Sequence, residues 1–236
     1  MADPGSVQEL FTAANGLTLL LSLVWSAPLL FLWATWRSEA RYAPAPALIP
    51  PAGLLAVGLL IGLLTPGPVP PLRLLLGAEA TFPAALLEEL LKGLGTFVVL
   101  ATLARRGRPG IQAGLLAGAA VGLGFALTEN LVNSNGSADV LVVALQRGLV
   151  ANPGHMVYTA AFGAGLVLLL WGRALPHRAV GAGFLVLAPV AHALHNFLVV
   201  AAFAQGEWTD VAASAGFLSV VISLEALLLN LVPEAA

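Results

Sequence analysis

Three charged side chains interrupt an otherwise apolar helical stretch at 82–104, and their spacing suits proton-transfer chemistry. Each ionised side chain near the centre of a bilayer costs roughly 2.5–3.5 kcal/mol on insertion scales, so these residues need a compensating reason. Glu88 lies four residues before Lys92 and Glu89 lies three before it, so either carboxylate can pair with the ammonium along one helix face. A carboxylate left unpaired could act as a general base. A buried ion pair beside a spectator glutamate explains the pattern equally well.

A second group of polar residues lies in later apolar stretches and adds imidazole and amide groups. His192 shares a helix face with Asn196, and His195 lies beside them. The other members of the group are Glu129, Asn130 and His155. A single histidine in a membrane helix is more often a packing residue, but several polar residues at similar depth favour a shared site.

Three kinds of chemistry are compatible with these residue types. Two histidines and a carboxylate can hold a divalent metal with an open position for water, while a second carboxylate acts as general base. Without a metal, a glutamate can activate water directly while histidine and asparagine stabilise the oxyanion. Chains of glutamate and histidine inside membranes also form proton relays in transporters. The His-Glu-x-x-His zinc signature is absent, so a metal site would need ligands from separate helices, and spacing alone does not choose among the three.

The composition is typical of a protein that crosses a membrane several times. Of 236 residues, 59% are hydrophobic and 9% charged, with a mean hydropathy of +0.93, whereas soluble domains are about 25% charged. The absence of cysteine excludes disulfides, thiolate metal sites and a cysteine nucleophile. The net charge of -2 does not favour nucleic-acid binding, and the acidic N-terminus predicts no cleavable signal peptide. We expect a single integral-membrane domain, 1–236, with its motif-bearing core at 82–204.

The apolar stretches predict an all-α transmembrane bundle with about seven spans, because a helix needs about 20 apolar residues to cross a bilayer. An eighth stretch, 138–150, is too short to cross and contains Arg147, so we expect it to form a short surface helix or a re-entrant one. The predicted spans are 16–36, 48–65, 82–104, 111–132, 154–173, 179–204 and 209–232.

The basic residues predict the orientation of the bundle, since cytoplasmic loops carry an excess of lysine and arginine. The loops after the first, third and fifth spans contain Arg37, Arg41, Arg105, Arg106, Arg108, Arg173 and Arg178. The opposite side contains only Arg73 and Arg147. This asymmetry predicts an N-terminus outside the cell and a C-terminus in the cytoplasm. In this orientation, the unusual polar residues lie in the outer half of the bilayer. Glu88 lies about 9 Å below the outer end of its span.

Four ordered blocks of the sequence resemble the PrsW family of bacterial intramembrane proteases. This family is related to the type II CAAX prenyl endopeptidases and to the APH subunit of gamma-secretase. The blocks are Glu88-Glu89-x-x-Lys92, Gly124-Phe125-x-x-x-Glu129-Asn130, Arg147 leading to His155 and Gly163, and His192-x-x-His195-Asn196. Each block is weak alone, but their order and their placement in the spans make the resemblance specific.

The resemblance implies a protease that cuts a single-span, membrane-anchored protein, such as an anti-sigma factor, near the outer face of a bacterial membrane. It implies that Glu88 or Glu89 activates water, that His192 is an essential partner, and that Asn196 matches the asparagine of the prenyl enzymes. Their supporting neighbours are Lys92, Asn130 and His195. PrsW proteins are classed by resemblance among the metallopeptidases, and Glu129, His155 and His192 would make a suitable set of ligands for zinc, because Glu129 and His155 lie where a ligand could reach inward. A metal-free glutamate mechanism, as argued for the prenyl relatives, is the alternative.

Two other functions are compatible with a polar cluster inside a bundle. A proton-coupled transporter would use the glutamates and histidines as a relay, but the two repeated halves with broken helices that this predicts are not found in the sequence. A non-enzymatic scaffold, like the APH relative, would use the cluster to hold helices together. The oligomeric state and the choice between Glu88 and Glu89 as the base stay open at this level.

Overall fold

The chain folds into a bundle of helices whose interior is built largely from small residues. The structure is a computed structural model that describes residues 16–18, 20–21, 24, 51–64, 81–105, 107–133, 144–203 and 207–230. These residues contain helices and no strand, in agreement with the all-α prediction. The helices are α1 (Pro51–Leu64), α2 (Thr81–Ala104), α3 (Ile111–Asn133), α4 (Asn152–Trp171), α5 (Leu175–Phe203) and α6 (Glu207–Asn230).

Within the described part of the chain, three helices are long and apolar enough to cross a membrane by length and composition. They comprise Ile111–Asn130, Asn152–Trp171 and Leu175–Leu198. The helix α2 is 24 residues long but contains three charged residues, and α6 is also 24 residues long. Most of the predicted first span, 16–36, lies outside the described residues, so the expected total of seven spans stays a prediction.

The apolar stretch at 138–150 joins α4 without a break where the structure describes it. Its residues up to 143 lie outside the described part of the chain. From Gln146 to Ala151 the backbone forms a π-helical turn that continues directly into α4, with the flanking Leu145 and Asn152 both in the right-handed helical region. Arg147 therefore lies on an extension of α4, and π-helical turns of this kind are frequent at functional sites.

Glycines bring α3 and α4 into backbone contact, and this pair packs more extensively than any other pair of described helices. Gly114, Gly118 and Gly122 follow one another at intervals of four and so share one face of α3. A Cβ atom at Gly118 would collide with the carbonyl oxygen of Thr159, and one at Gly122 with that of His155. Small residues allow this close approach between membrane helices, and the approach places His155 and Thr159 against α3.

Replacing one of these glycines is therefore expected to push α3 and α4 apart. We predict that Gly118→Val lowers the free energy of unfolding by about 1–3 kcal/mol through overpacking and reduces activity by displacing the α4 residues of the site. Thermal unfolding in detergent measures the first effect. Gly183→Ala is the matched control, since a Cβ there meets nothing within 4 Å; equal stability of both variants would contradict the packing argument.

The helix α5 connects the α4 side of the bundle with α6. It is 29 residues long and contains Pro189 in its interior, one turn before His192. A proline inside a helix removes one backbone hydrogen bond and favours a kink. The buried apolar side chains on this side include Tyr158, Phe184 and Leu218, which link α4, α5 and α6.

Candidate active site

The predicted polar residues converge on one buried cluster contributed by four helices. Glu88, Glu89 and Lys92 come from α2, Glu129 from α3, His155 from α4 and His192 from α5. The cluster lies where α2 begins, α3 ends and α4 begins. Successive antiparallel helices place these ends together, which is why residues distant in sequence can meet.

Glu89 has both carboxylate oxygens engaged. Its side chain is fully buried and forms an ion pair with Lys92. Oε1 also accepts a hydrogen bond from His192 Nδ1 at 2.9 Å, and Oε2 accepts one from Thr159 Oγ1 at 3.2 Å. With both oxygens in use and no exposed surface, Glu89 is placed to orient other side chains rather than to bind water.

Glu88 has the opposite character. Within the described part of the chain, its buried Oε2 atom has no hydrogen-bond partner. The Nε2 atom of His192 lies 3.8 Å from that oxygen. This separation is longer than a hydrogen bond, so Glu88 keeps an oxygen available to a further group.

The two imidazoles of the cluster are held in the same way, with Nδ1 bonded to α2 and Nε2 facing a carboxylate. His192 Nδ1 donates to Glu89, which in the neutral imidazole leaves Nε2 as an acceptor, 3.8 Å from Glu88. His155 Nδ1 lies 3.0 Å from Lys92 Nζ, and its Nε2 lies 2.8 Å from Glu129 Oε2. The ring centroids are 5.0 Å apart at an interplanar angle of 86°, and one ring nitrogen of each lies within 4.8 Å of the other.

Lys92 completes the polar network beneath the two rings. Its side chain is fully buried, and Nζ lies 4.5 Å from the centre of the Phe125 ring in addition to its contacts with Glu89 and His155. A cation above an aromatic face is stabilised by the ring quadrupole. The ammonium therefore has three favourable contacts without water.

The supporting asparagine of α3 connects the site to the π-helical turn. Asn130 Nδ2 donates to Asn152 Oδ1 at 2.7 Å, and Asn152 Nδ2 donates to the Gly148 carbonyl at 3.2 Å. These bonds tie the end of α3 to the turn that carries Arg147. Asn152 is not among the site residues predicted from the sequence, although it lies between Arg147 and His155.

His195 and Asn196 lie outside the innermost cluster. His195 Nδ1 and the Tyr158 hydroxyl are hydrogen-bonded at 2.9 Å, and the Tyr158 ring stacks on His192 with centroids 5.5 Å apart. Asn196 is half-buried, and its side chain forms no hydrogen bond with the described members of the cluster. Tyr158 and Thr159 were also not predicted as site residues. They lie three and four residues after His155 and so share its helix face.

Three donors of the cluster suit a divalent metal. Ligand atoms of Glu88, His155 and His192 all lie within 4.8 Å of one another, whereas ligands around a tetrahedral zinc are about 3.3 Å apart, so a small contraction would suffice. Glu88 and His192 each offer a free electron pair, and an outer carboxylate holding a ligand histidine, as Glu89 does, is usual in metal sites. His155 Nε2 lies 2.8 Å from Glu129 Oε2, and this nitrogen would have to carry no proton in order to bind a metal. Glu129, a predicted ligand, contacts His155 but is not one of the three.

Together the fold and the cluster define a helical protein with membrane-spanning helices and a buried group of interacting glutamate and histidine side chains. A family model for the PrsW family intramembrane metalloproteases matches residues 51–226, and the chain belongs to this family. No curated protein and no solved structure is similar enough to count as a match. The family assignment confirms the predicted resemblance: the chain is an integral membrane enzyme, a protease that acts on membrane proteins, rather than a transporter or a scaffold.

Proposed function

We propose that the chain is an endopeptidase that cuts the membrane-anchored segment of a single-span protein with a water molecule activated by Glu88. The observation that carries this proposal is the pair of facing acceptors, Glu88 Oε2 and His192 Nε2, 3.8 Å apart. Two acceptors at this distance are best satisfied by a species that donates two hydrogen bonds or accepts two electron pairs. A water molecule does the first and a metal cation the second.

Each residue of the cluster then has a distinct role. Glu88 takes the proton from the attacking water and returns it to the leaving amine. Glu89 keeps the proton of His192 on Nδ1, so that Nε2 remains an acceptor. Glu129 orients His155 through its Nε2 atom. Asn196 lies one turn after His192, and we assign it the role of donor to the oxyanion that forms on the scissile carbonyl.

For a metal-dependent form of this mechanism, zinc is the metal that we propose, with Glu88, His155 and His192 as its protein ligands; Glu88 would then hold the ion instead of taking the proton of the water. When bound, the zinc would act as a Lewis acid on the scissile carbonyl. The sequence predicted Glu129 as the carboxylate ligand. Glu88 takes its place in this set, because Glu88 is the carboxylate within reach of both rings. We expect purified protein to bind about one zinc per chain, with binding lost in His192→Ala. Elemental analysis measures this, and full activity of metal-free protein would exclude the zinc proposal while leaving the protease proposal intact.

The proposed substrate is a single-span protein, such as an anti-sigma factor, cut near the extracytoplasmic face of a bacterial membrane. The excess of arginine on the opposite side supports an external N-terminus and a cytoplasmic C-terminus. The cluster lies at the end of the bundle where α2 begins and α3 ends, which is the outer end in this orientation. We place the motif-bearing core of the single domain at 82–204.

Co-expression with a tagged single-span substrate tests the proposed function. We expect wild-type protein to release a shortened fragment and His192→Ala to release none, because that variant loses an acceptor of the reacting water. Thr102→Val, a change at an exposed residue of α2, is the control and should cleave normally. Equal fragment release by the wild type and His192→Ala would rule out the proposed site.

A further inference from the structure

Lys92 is linked to both histidines of the innermost cluster. It contacts His155 directly, and Glu89 connects it to His192. Its Nζ atom donates to His155 Nδ1 at 3.0 Å and pairs with Glu89 Oε1. The same Oε1 atom accepts the proton of His192 Nδ1 at 2.9 Å. A continuous chain of hydrogen bonds therefore runs from the ring on α5, through two side chains of α2, to the ring on α4.

We propose that Lys92 is a positioning residue that sets the orientation and the tautomer of both imidazoles. This inference rests on the proposed function for its premise that the two rings are reactive groups. An ammonium can only donate, so His155 accepts at Nδ1 and carries its proton on Nε2. Glu89 can only accept, so His192 carries its proton on Nδ1. The two rings consequently present opposite chemistry at Nε2, with a donor on His155 and an acceptor on His192.

The surroundings of the ammonium restrict it to this arrangement. Lys92 and Glu89 are fully buried, so water does not compete for the donors. The centre of the Phe125 ring lies 4.5 Å from Nζ and 5.2 Å from the centre of the His155 ring, so an apolar group borders both. A compact ammonium can serve three partners in different directions, whereas a planar guanidinium cannot reproduce that geometry.

A simpler role for Lys92 is to neutralise the buried charge of Glu89, and a double variant separates the two roles. Glu89→Gln with Lys92→Met removes both charges at once. The glutamine keeps an oxygen that can accept from His192 Nδ1, so the ring on α5 retains its partner. His155 alone loses the group that holds its Nδ1 atom.

Nitrogen-15 NMR of histidine-labelled protein detects this difference, because the chain contains only four histidines. In wild-type protein we expect His155 to be protonated on Nε2 and His192 on Nδ1. In the double variant, the two ring resonances of His155 should move toward each other as its tautomers exchange, while those of His192 stay in place. Thr96→Val, at a buried residue one turn after Lys92 whose hydroxyl bonds only the Lys92 carbonyl among the described groups, should leave all four rings unchanged. Unchanged His155 resonances in the double variant would overturn the proposal.

The same experiment separates this inference from the proposed function. If the wild type cuts no substrate but the His155 resonances change as expected in the double variant, the proposed function fails and Lys92 still sets the tautomer of His155.

Discussion

Glu88→Gln is expected to abolish proteolysis while leaving the protein folded. The amide cannot take a proton from water, and loss of a general base typically costs about 10²–10⁴-fold in rate. The fold should tolerate the change, since Glu88 Oε2 has no hydrogen-bond partner among the described residues and a neutral amide is cheaper to bury than a carboxylate. Time courses of fragment release give the rate, and thermal unfolding followed by tryptophan fluorescence gives the stability.

Activity and stability of the Glu88→Gln variant must be compared to interpret its effect. A Glu88→Gln variant that is inactive but as stable as the wild type supports the assignment of Glu88 as the base. An inactive variant with a much lower unfolding temperature would instead mean that Glu88 holds the bundle together. Cleavage at the wild-type rate would exclude Glu88 from the chemistry altogether.

Glu89→Gln is expected to destabilise the protein strongly. The change leaves the fully buried Lys92 ammonium without its counter-ion, and removing one partner of a buried ion pair typically costs about 3–5 kcal/mol. Adding Lys92→Met removes the unpaired charge, and replacing a buried pair with neutral side chains is often close to neutral in stability. The double variant should therefore recover most of the lost unfolding free energy, which denaturant titration in detergent can measure.

The control for this pair of variants is Thr96→Val. Thr96 is also buried on α2, but its hydroxyl donates to the carbonyl of its own helix at 2.9 Å, so we expect a loss of about 1 kcal/mol or less. If Glu89→Gln costs no more than Thr96→Val, the ion pair is not what stabilises this part of the bundle. If the double variant stays as unstable as Glu89→Gln, the penalty does not arise from the unpaired ammonium.

Much of the site was predictable because polar residues in apolar helices are costly and therefore rare. Their rarity selected Glu88, Glu89, Glu129, His155 and His192 without any structural information, and the structure brings all five together. The same argument did not select three uncharged polar residues of the site: Tyr158, Thr159 and Asn152. Such residues are common in membrane helices and cannot be distinguished by type from residues that only pack between helices. Only the contacts with His192, Glu89 and Asn130 identify them as part of the site.

The sequence by itself determined that this protein is a helical membrane protein with carboxylates and imidazoles inside apolar stretches, since composition and helix periodicity depend only on residue order. It could not distinguish Glu88 from Glu89, because both lie within one helical turn of Lys92 and can pair with it. The tertiary structure distinguishes their surroundings. Thr159 and His192 approach from α4 and α5 and occupy the oxygens of Glu89, whereas the Oε2 atom of Glu88 has no hydrogen-bond partner among the described residues.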